Sequence, residues 1–177
     1  MVGGQREAHR DKLTLMYALM VLGPCTEDQV VRMNDAFSLM EQFQLYVVLG
    51  DLKDAHLVME EQRPEGRLLR VTEDGENMVN MFGEDIWPGS KIKIDDQAAE
   101  WKRMIRDELQ MPAEWERQED RYLVTLRLLE NGSEIFNLKL PAVDRQQAVD
   151  FSRRWPKQAS FLYRTIMEKL GEEKKEQ

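Results

Sequence analysis

Arg63 and Arg67 close the two ends of a Pro-Gly turn, Arg63-Pro64-Glu65-Gly66-Arg67, and Arg70 follows shortly after. A guanidinium is a permanently charged planar fork that suits phosphate oxygens, so arginines at a turn tip suit contact with a nucleic-acid backbone or minor groove. Solvated surface charge is the other reading of the same residues. A second set, Gln42, Tyr46, Val47, Gly50 and Lys53, recurs at helical spacing. Gln42 offers the donor and acceptor that a bidentate contact with a base edge needs, and Lys53 can reach a base edge or a phosphate. Tyr46 and Val47 can touch a thymine methyl. With Phe43 they equally suit an apolar protein groove, or packing on a neighbouring helix.

Other chemistries find little to work with. His9 and His56 are the only histidines, one near the N-terminus and one at a predicted helix end, so no nucleophile, base and orienting group assemble. The carboxylate pairs Asp95-Asp96 and Glu119-Asp120 read as solvated charge flanking helices or strands. Cys25 is the single cysteine, which excludes an intrachain disulfide, and no adjacent Lys, Arg or His favours its thiolate. There is no phosphate loop and no dinucleotide fingerprint, and Gly3-Gly4 reads as a flexible terminal scrap. The expectation is a protein that is not an enzyme and holds no metal or cofactor.

The elements that would position these residues follow from periodicity and caps. Asp11 to Leu22 is apolar on nearly every face and ends at Gly23-Pro24; Thr26 caps a second helix with Glu27 and Asp28 in its first turn. A third helix is expected from about Ser38 to Ala55, its core face marked by Leu45, Leu49 and Leu52. Two strand-like runs, Leu57 to Gln62 and Leu68 to Val71, flank the arginine turn as a β-ribbon. Thr72 then caps a helix with Glu73, Asp74 and Glu76 at its positive end and Met78, Val79 and Phe82 as its apolar stripe. Helix, ribbon, helix is the winged-helix order, so residues 1–83 are expected to form a winged helix-turn-helix domain.

Gly83 to Ser90 combines turn residues and acids, which places the expected boundary there. Residues 84–177 then form a second, α+β domain. All four tryptophans lie in it. Asp95 to Met111 carries Trp101, Ile105 and Leu109 at helical spacing and stops before Pro112. Tyr122, Val124, Leu126 and Leu128 alternate toward Asn131-Gly132, a strong hairpin-turn signal, and Phe136, Leu138 and Leu140 alternate on the return. Asp144 with Gln147 opens a last helix with Ala148, Phe151 and Trp155 inward. Pro156 should bend or restart it, and Leu162, Ile166 and Leu170 should carry the stripe onward.

Composition bounds the whole. The chain has 177 residues, is 42% hydrophobic and carries a formal charge of −8, with −6 in residues 1–83 and −2 in the rest. The part expected to touch DNA is the more acidic part, although nucleic-acid affinity comes from neutralised phosphates. No apolar run approaches the roughly 20 residues of a membrane span, and residues 1–10 are too polar for a signal peptide, so the cytoplasm is the expected location.

The chain resembles, over nearly its whole length, a bacterial family catalogued as a domain of unknown function, number 4364. The resemblance lies in Asp11-Lys12-Leu13 through Leu22, in Leu49-x-x-Leu52 through Leu57, in Val71-Thr72-x-x-Gly75, and in the run from Ala148 to Leu170 with Trp155, Tyr163 and Ile166. It implies a winged helix followed by a C-terminal α+β domain, and a part in gene regulation. Two positions depart from related regulators: His56 stands where a helix-ending glycine is common, and Tyr46 and Val47 where polar residues are common. The expected function is a transcription regulator with its third helix in the major groove of double-stranded DNA. Gln42, Tyr46, Val47 and Lys53 would lie along the groove, and Arg63 and Arg67 on the flanking backbone. The alternative is a winged helix that binds protein through Phe43, Tyr46 and Val47. A homodimer is expected, with the C-terminal domain mediating dimerisation or sensing an effector.

Overall fold

The first helix is longer than its apolar stretch. In the computed structural model, which describes residues 2–171, α1 spans Val2–Leu22 and includes Gly3-Gly4 and His9, expected to lie outside it. Intrinsic propensity is a weak prior, and a helix already nucleated on a buried segment extends through glycines at modest cost. Leu13, Leu15, Met16, Ala18, Leu19 and Leu22 are all buried, as an all-round apolar helix requires, and α1 packs against the third and fourth helices and the ribbon.

Caps set the next elements. Thr26 opens α2 (Glu27–Phe37) with a complete capping box: the Gln29 amide donates to Thr26 Oγ1 at 3.2 Å, and the Thr26 amide donates to Gln29 Oε1 at 2.9 Å. The left-handed Ser38 ends α2, and buried Asn34 holds the turn by donating to the Met40 carbonyl and accepting from the Met40 amide. That turn delays α3 to Gln42–Asp54, a turn later than its apolar residues suggest. His56 follows with φ +57, so the left-handed position that often takes glycine is kept here by a histidine.

The ribbon pairs β1 (Val58–Arg63) with β2 (Gly66–Val71) in antiparallel register from Val58 opposite Val71 to Arg63 opposite Gly66, leaving Pro64-Glu65 as the tip. Cys25 adds a short bridge on the other edge of β2, exchanging two backbone hydrogen bonds with Leu69. Thr72 caps α4 (Glu73–Phe82) as expected, with the Gly75 amide donating to its hydroxyl, which itself reaches the His56 and Leu57 carbonyls. Phe82, expected on the apolar stripe, is instead half-exposed, edge-on to His9.

After a 3-10 turn at Gly83–Asp85, α5 runs over Pro88–Leu109, starting earlier than its tryptophan stripe indicated because Pro88 suits a first helical turn. The chain divides into two compact units, one ending at Ile105 and one beginning at Arg106. This lies within α5 and beyond the 83/84 boundary read from the turn residues. The reason is packing on the first unit: Ile94 is buried, Tyr17 donates to Asp95, Lys93 donates to the Phe37 carbonyl, and Trp101 meets the Phe37 ring edge-on at 5.4 Å. Trp87, under the Arg10 guanidinium, also belongs to the first unit.

The second unit is a three-stranded antiparallel sheet in the order β3-β4-β5, from Ala113–Gln118, Arg121–Glu130 and Ser133–Ala142, with α6 (Arg145–Gly171) on one face. Asn131 and Gly132 both have positive φ, as the hairpin signal required. Strand β3 was not legible in the sequence. Its AEWERQ lacks apolar alternation because most of it is exposed at a sheet edge, and the backbone ladder to β4 holds it. Val124, Leu126, Leu128, Ala148, Trp155 and Ala159 form the core, flanked by Phe136, Leu138, Leu140, Phe151 and Tyr163. The helix continues through Pro156 and does not restart there. Buried Trp155 and Ala159 on either side anchor both halves, and the Trp155 indole donates to the Arg127 carbonyl at 2.8 Å. Beyond Pro156 the core stripe passes through Ala159 and Tyr163. Leu162 and Leu170 do not carry it; Leu170 is 80% exposed.

Candidate functional site

Helix α3 and the ribbon hold every residue that the sequence put forward. The buried face of α3 is Leu45, Val48, Leu49 and Leu52. This leaves Gln42, Phe43, Tyr46, Val47 and Gly50 outward, the phase expected from the leucine spacing. Phe43 is 80% exposed, Tyr46 47% and Val47 42%, so the reading in which these three pack on α2 does not hold. Between Glu41 and Asp51 the helix carries no charged side chain at all. Gln42 is exposed in the first turn and is the only amide on the outward face.

The cations sit differently from the way a phosphate footprint needs. Lys53 turns to two carboxylates, Glu27 at 3.5 Å and Glu60 by a short hydrogen bond. Arg63 donates to Glu61 at 2.8 Å, Arg70 lies 3.4 Å from the same carboxylate, and Arg67 lies 3.8 Å from Glu60. The hydrogen bond from Lys53, with Arg67 nearby, holds the Glu60 carboxyl below the ordinary glutamate range. That from Arg63, with Arg70 nearby, does the same for Glu61, and Arg63 is raised in turn. Lys12 pairs with Asp51 at 2.8 Å, and Arg10 is spread over the Trp87 ring. Arg6, Arg10 and Lys12 all lie on α1.

Glu27, Glu60 and Glu61 are the residues that sequence reasoning missed here. Glu60 and Glu61 meet their cations only through the strand register, which sets Glu60 opposite Leu69 and Glu61 opposite Leu68 and so brings Arg67 and Arg70 diagonally across. Glu27 comes from another helix. No local pattern marks such pairs.

Elsewhere the chemistry is sparse. Burial pushes the Cys25 thiol up to about 12, which makes it a poor nucleophile. Asp95 is engaged by the Tyr17 hydroxyl. Among the described residues no group of three or more His, Cys, Asp or Glu is placed to hold a metal ion, and no helix is long and apolar enough to cross a membrane.

Three helices, a two-stranded ribbon and two further helices, followed by a three-stranded sheet under a long helix, define an α+β protein. The chain belongs to the family described as a domain of unknown function, DUF4364, whose pattern it matches over residues 11–170. No curated protein matches it. No solved structure matches it.

Proposed function

We propose that the first unit is a winged helix that binds protein, with α3 as its docking helix and the ribbon as its wing. The observation that carries this reading is the uncharged, outward α3 face of Phe43, Tyr46, Val47 and Gly50, set beside a wing whose arginines are already matched by glutamates. Burying large apolar side chains contributes about 25 cal/mol per Å² removed from water, and aromatic residues dominate interface energetics. Phosphate binding, by contrast, would have to displace Glu27, Glu60 and Glu61 and overcome a net charge of −8.

The test is selection of genomic DNA fragments by the purified protein at low and at physiological salt. No sequence should be enriched in either condition. An enriched sequence, lost on changing Gln42 and Arg67 to alanine, would overturn docking in favour of DNA reading. That second reading has its own support: Gln42 is exposed at the start of α3, and Arg67 is 72% exposed and, among the described residues, held by one ion pair, to Glu60 at 3.8 Å. Exposed pairs are worth only about 0 to 1 kcal/mol, so a phosphate can replace such a partner. In that reading the winged helix regulates transcription, with Gln42 on a base edge and the wing on the flanking backbone.

A further inference from the structure

Helix α6 has an outer side that the sheet does not use. Its core side is Ala148, Trp155 and Ala159, and on the far side Arg153, Lys157 and Arg164 stand exposed. Spacings of four and seven residues bring these three into one row, about 16 Å from first to last at roughly 1.5 Å per residue. Exposed Arg154 lies at the flank of the row. Among the described residues none of the four is engaged by a hydrogen bond, an ion pair or an aromatic ring, unlike Lys53 and the arginines of the ribbon. Acids are missing from the same stretch. Asp and Glu make up 33 of the 177 residues, so about three belong in any seventeen, yet residues 151–167 hold none. The whole chain carries −8, but exposed charges beyond a Debye length of about 10 Å are largely screened at 0.1 M salt, so the local excess of cations governs what α6 attracts. Within it Phe161 is 57% exposed, one turn after Lys157 and one turn before Arg164.

We infer that the outer face of α6 binds single-stranded nucleic acid, with the cation row along the phosphates and the Phe161 ring stacked on a base. A row one side chain wide complements a linear polyanion. Three of its four cations, counting Arg154, are arginines, whose planar fork suits phosphate oxygens and stacks on flat rings. A bilayer takes up an amphipathic helix through a continuous apolar face, and the apolar face of α6 is spent on the sheet. An acidic protein would satisfy the cations and leave the exposed ring without a flat partner. A duplex keeps its bases stacked inside, whereas a single strand offers phosphates and bare bases together. Stacking and phosphate contact read no base edge, so the site discriminates little between sequences. It lies on the second unit and stands whether or not α3 docks protein.

Fluorescence anisotropy of a labelled oligothymidylate of about 20 nucleotides, titrated with the full chain from about 50 to 200 mM salt, is the measurement. Log affinity should fall against log salt with a slope of about −2, roughly 0.7 for each of three phosphates. Arg153→Gln with Lys157→Gln should reduce that slope to about −0.7. Phe161→Ala should weaken binding at least about fivefold and leave the slope as it was. Lys102→Gln with Arg103→Gln, which removes the same charge from exposed positions of α5, should change neither. All five positions are exposed, so every variant should melt with the parent, which separates lost binding from lost folding. No binding at about 50 mM salt overturns the inference, and so does an equal loss in the α5 variant, which would trace binding to net charge. A duplex that binds as tightly as the single strand, with Phe161→Ala silent, overturns it as well. Polyglutamate that displaces the oligonucleotide at equal charge would point to an acidic protein instead. Vesicles of about one-third phosphatidylserine that bind the chain where the oligonucleotide does not would point to a membrane, and either result overturns the assignment to nucleic acid.

Discussion

Replacing Gly75 by alanine should destabilise the first unit, although alanine is the better helix former. A Cβ at this position would stand 2.4 Å from the Leu57 carbonyl oxygen and 2.6 Å from Val71 Cγ1. An ordinary carbon-to-oxygen contact needs about 3.3 Å or more, so α4 and the base of the ribbon must part by roughly 1 Å. The oxygen cannot simply swing away. It accepts from the Thr72 amide at 3.0 Å and from the Thr72 hydroxyl at 3.2 Å, and that same hydroxyl caps α4 through the Gly75 amide. Overpacking costs about 1 to 3 kcal/mol, and rigid backbone as the obstacle places this case toward the upper end. The propensity gain of at most about 1 kcal/mol leaves a net loss of about 1 to 2 kcal/mol. Gly50→Ala supplies the internal control: the gain is the same and the Cβ meets open space, so it should stabilise by about 0.5 to 1 kcal/mol. Urea unfolding followed by circular dichroism reads both as shifts of the midpoint in opposite directions. If Gly75→Ala proves as stable as Gly50→Ala, the Thr-x-x-Gly element is not a steric lock and this reasoning fails.

Three further outcomes are expected. Burial, with Glu7 nearby, raises the Asp11 pKa in the fold, outweighing a hydrogen bond with Gln44. A raised carboxyl contributes stability that is fully present below the unfolded value of 3.8 and lost as pH rises through the folded value. Asp11→Asn should therefore raise the melting temperature at pH 7 and leave it unchanged near pH 3, and equal shifts at both would refute the assignment. Cys25, buried with its thiol pushed up to about 12, should resist an aromatic disulfide reagent at pH 8 in the native protein and react at once in denaturant; fast native labelling would contradict the burial. Leu52→Ala should cost about 2 to 5 kcal/mol as a core truncation, and Tyr46→Ala less than about 0.5 kcal/mol, by thermal melts at a concentration where the protein is monomeric. The reverse order would mean that α3 is rotated from the phase described.

What the sequence determined by itself is local. Thr26 and Thr72 as caps, Asn131-Gly132 as the hairpin turn, and the leucine phase of α3 all depend on residues within a turn or two of one another. Such interactions survive any arrangement of the rest of the chain. The Thr72-x-x-Gly75 element was legible as a cap for the same reason, although the neighbour that demands its glycine, Leu57, lies a whole ribbon away. The structure alone decided where partners come from a distance. The allegiance of α5 to the first unit depends on Tyr17, Phe37 and buried Ile94, which turn residues at Gly83 to Ser90 do not reveal. Strand β3 exists because β4 offers a free edge to pair with, and an exposed edge strand has no periodicity to read. The fate of the arginines was likewise tertiary. Arg63 and Arg67 read in a linear chain as phosphate ligands or as solvated charge, and only the ribbon register, together with Lys53 and Glu27 arriving from two helices, turns that cluster into pairs of opposite charge. Spacing along the chain records the interactions within an element; charge across a surface is set by elements that meet only on folding.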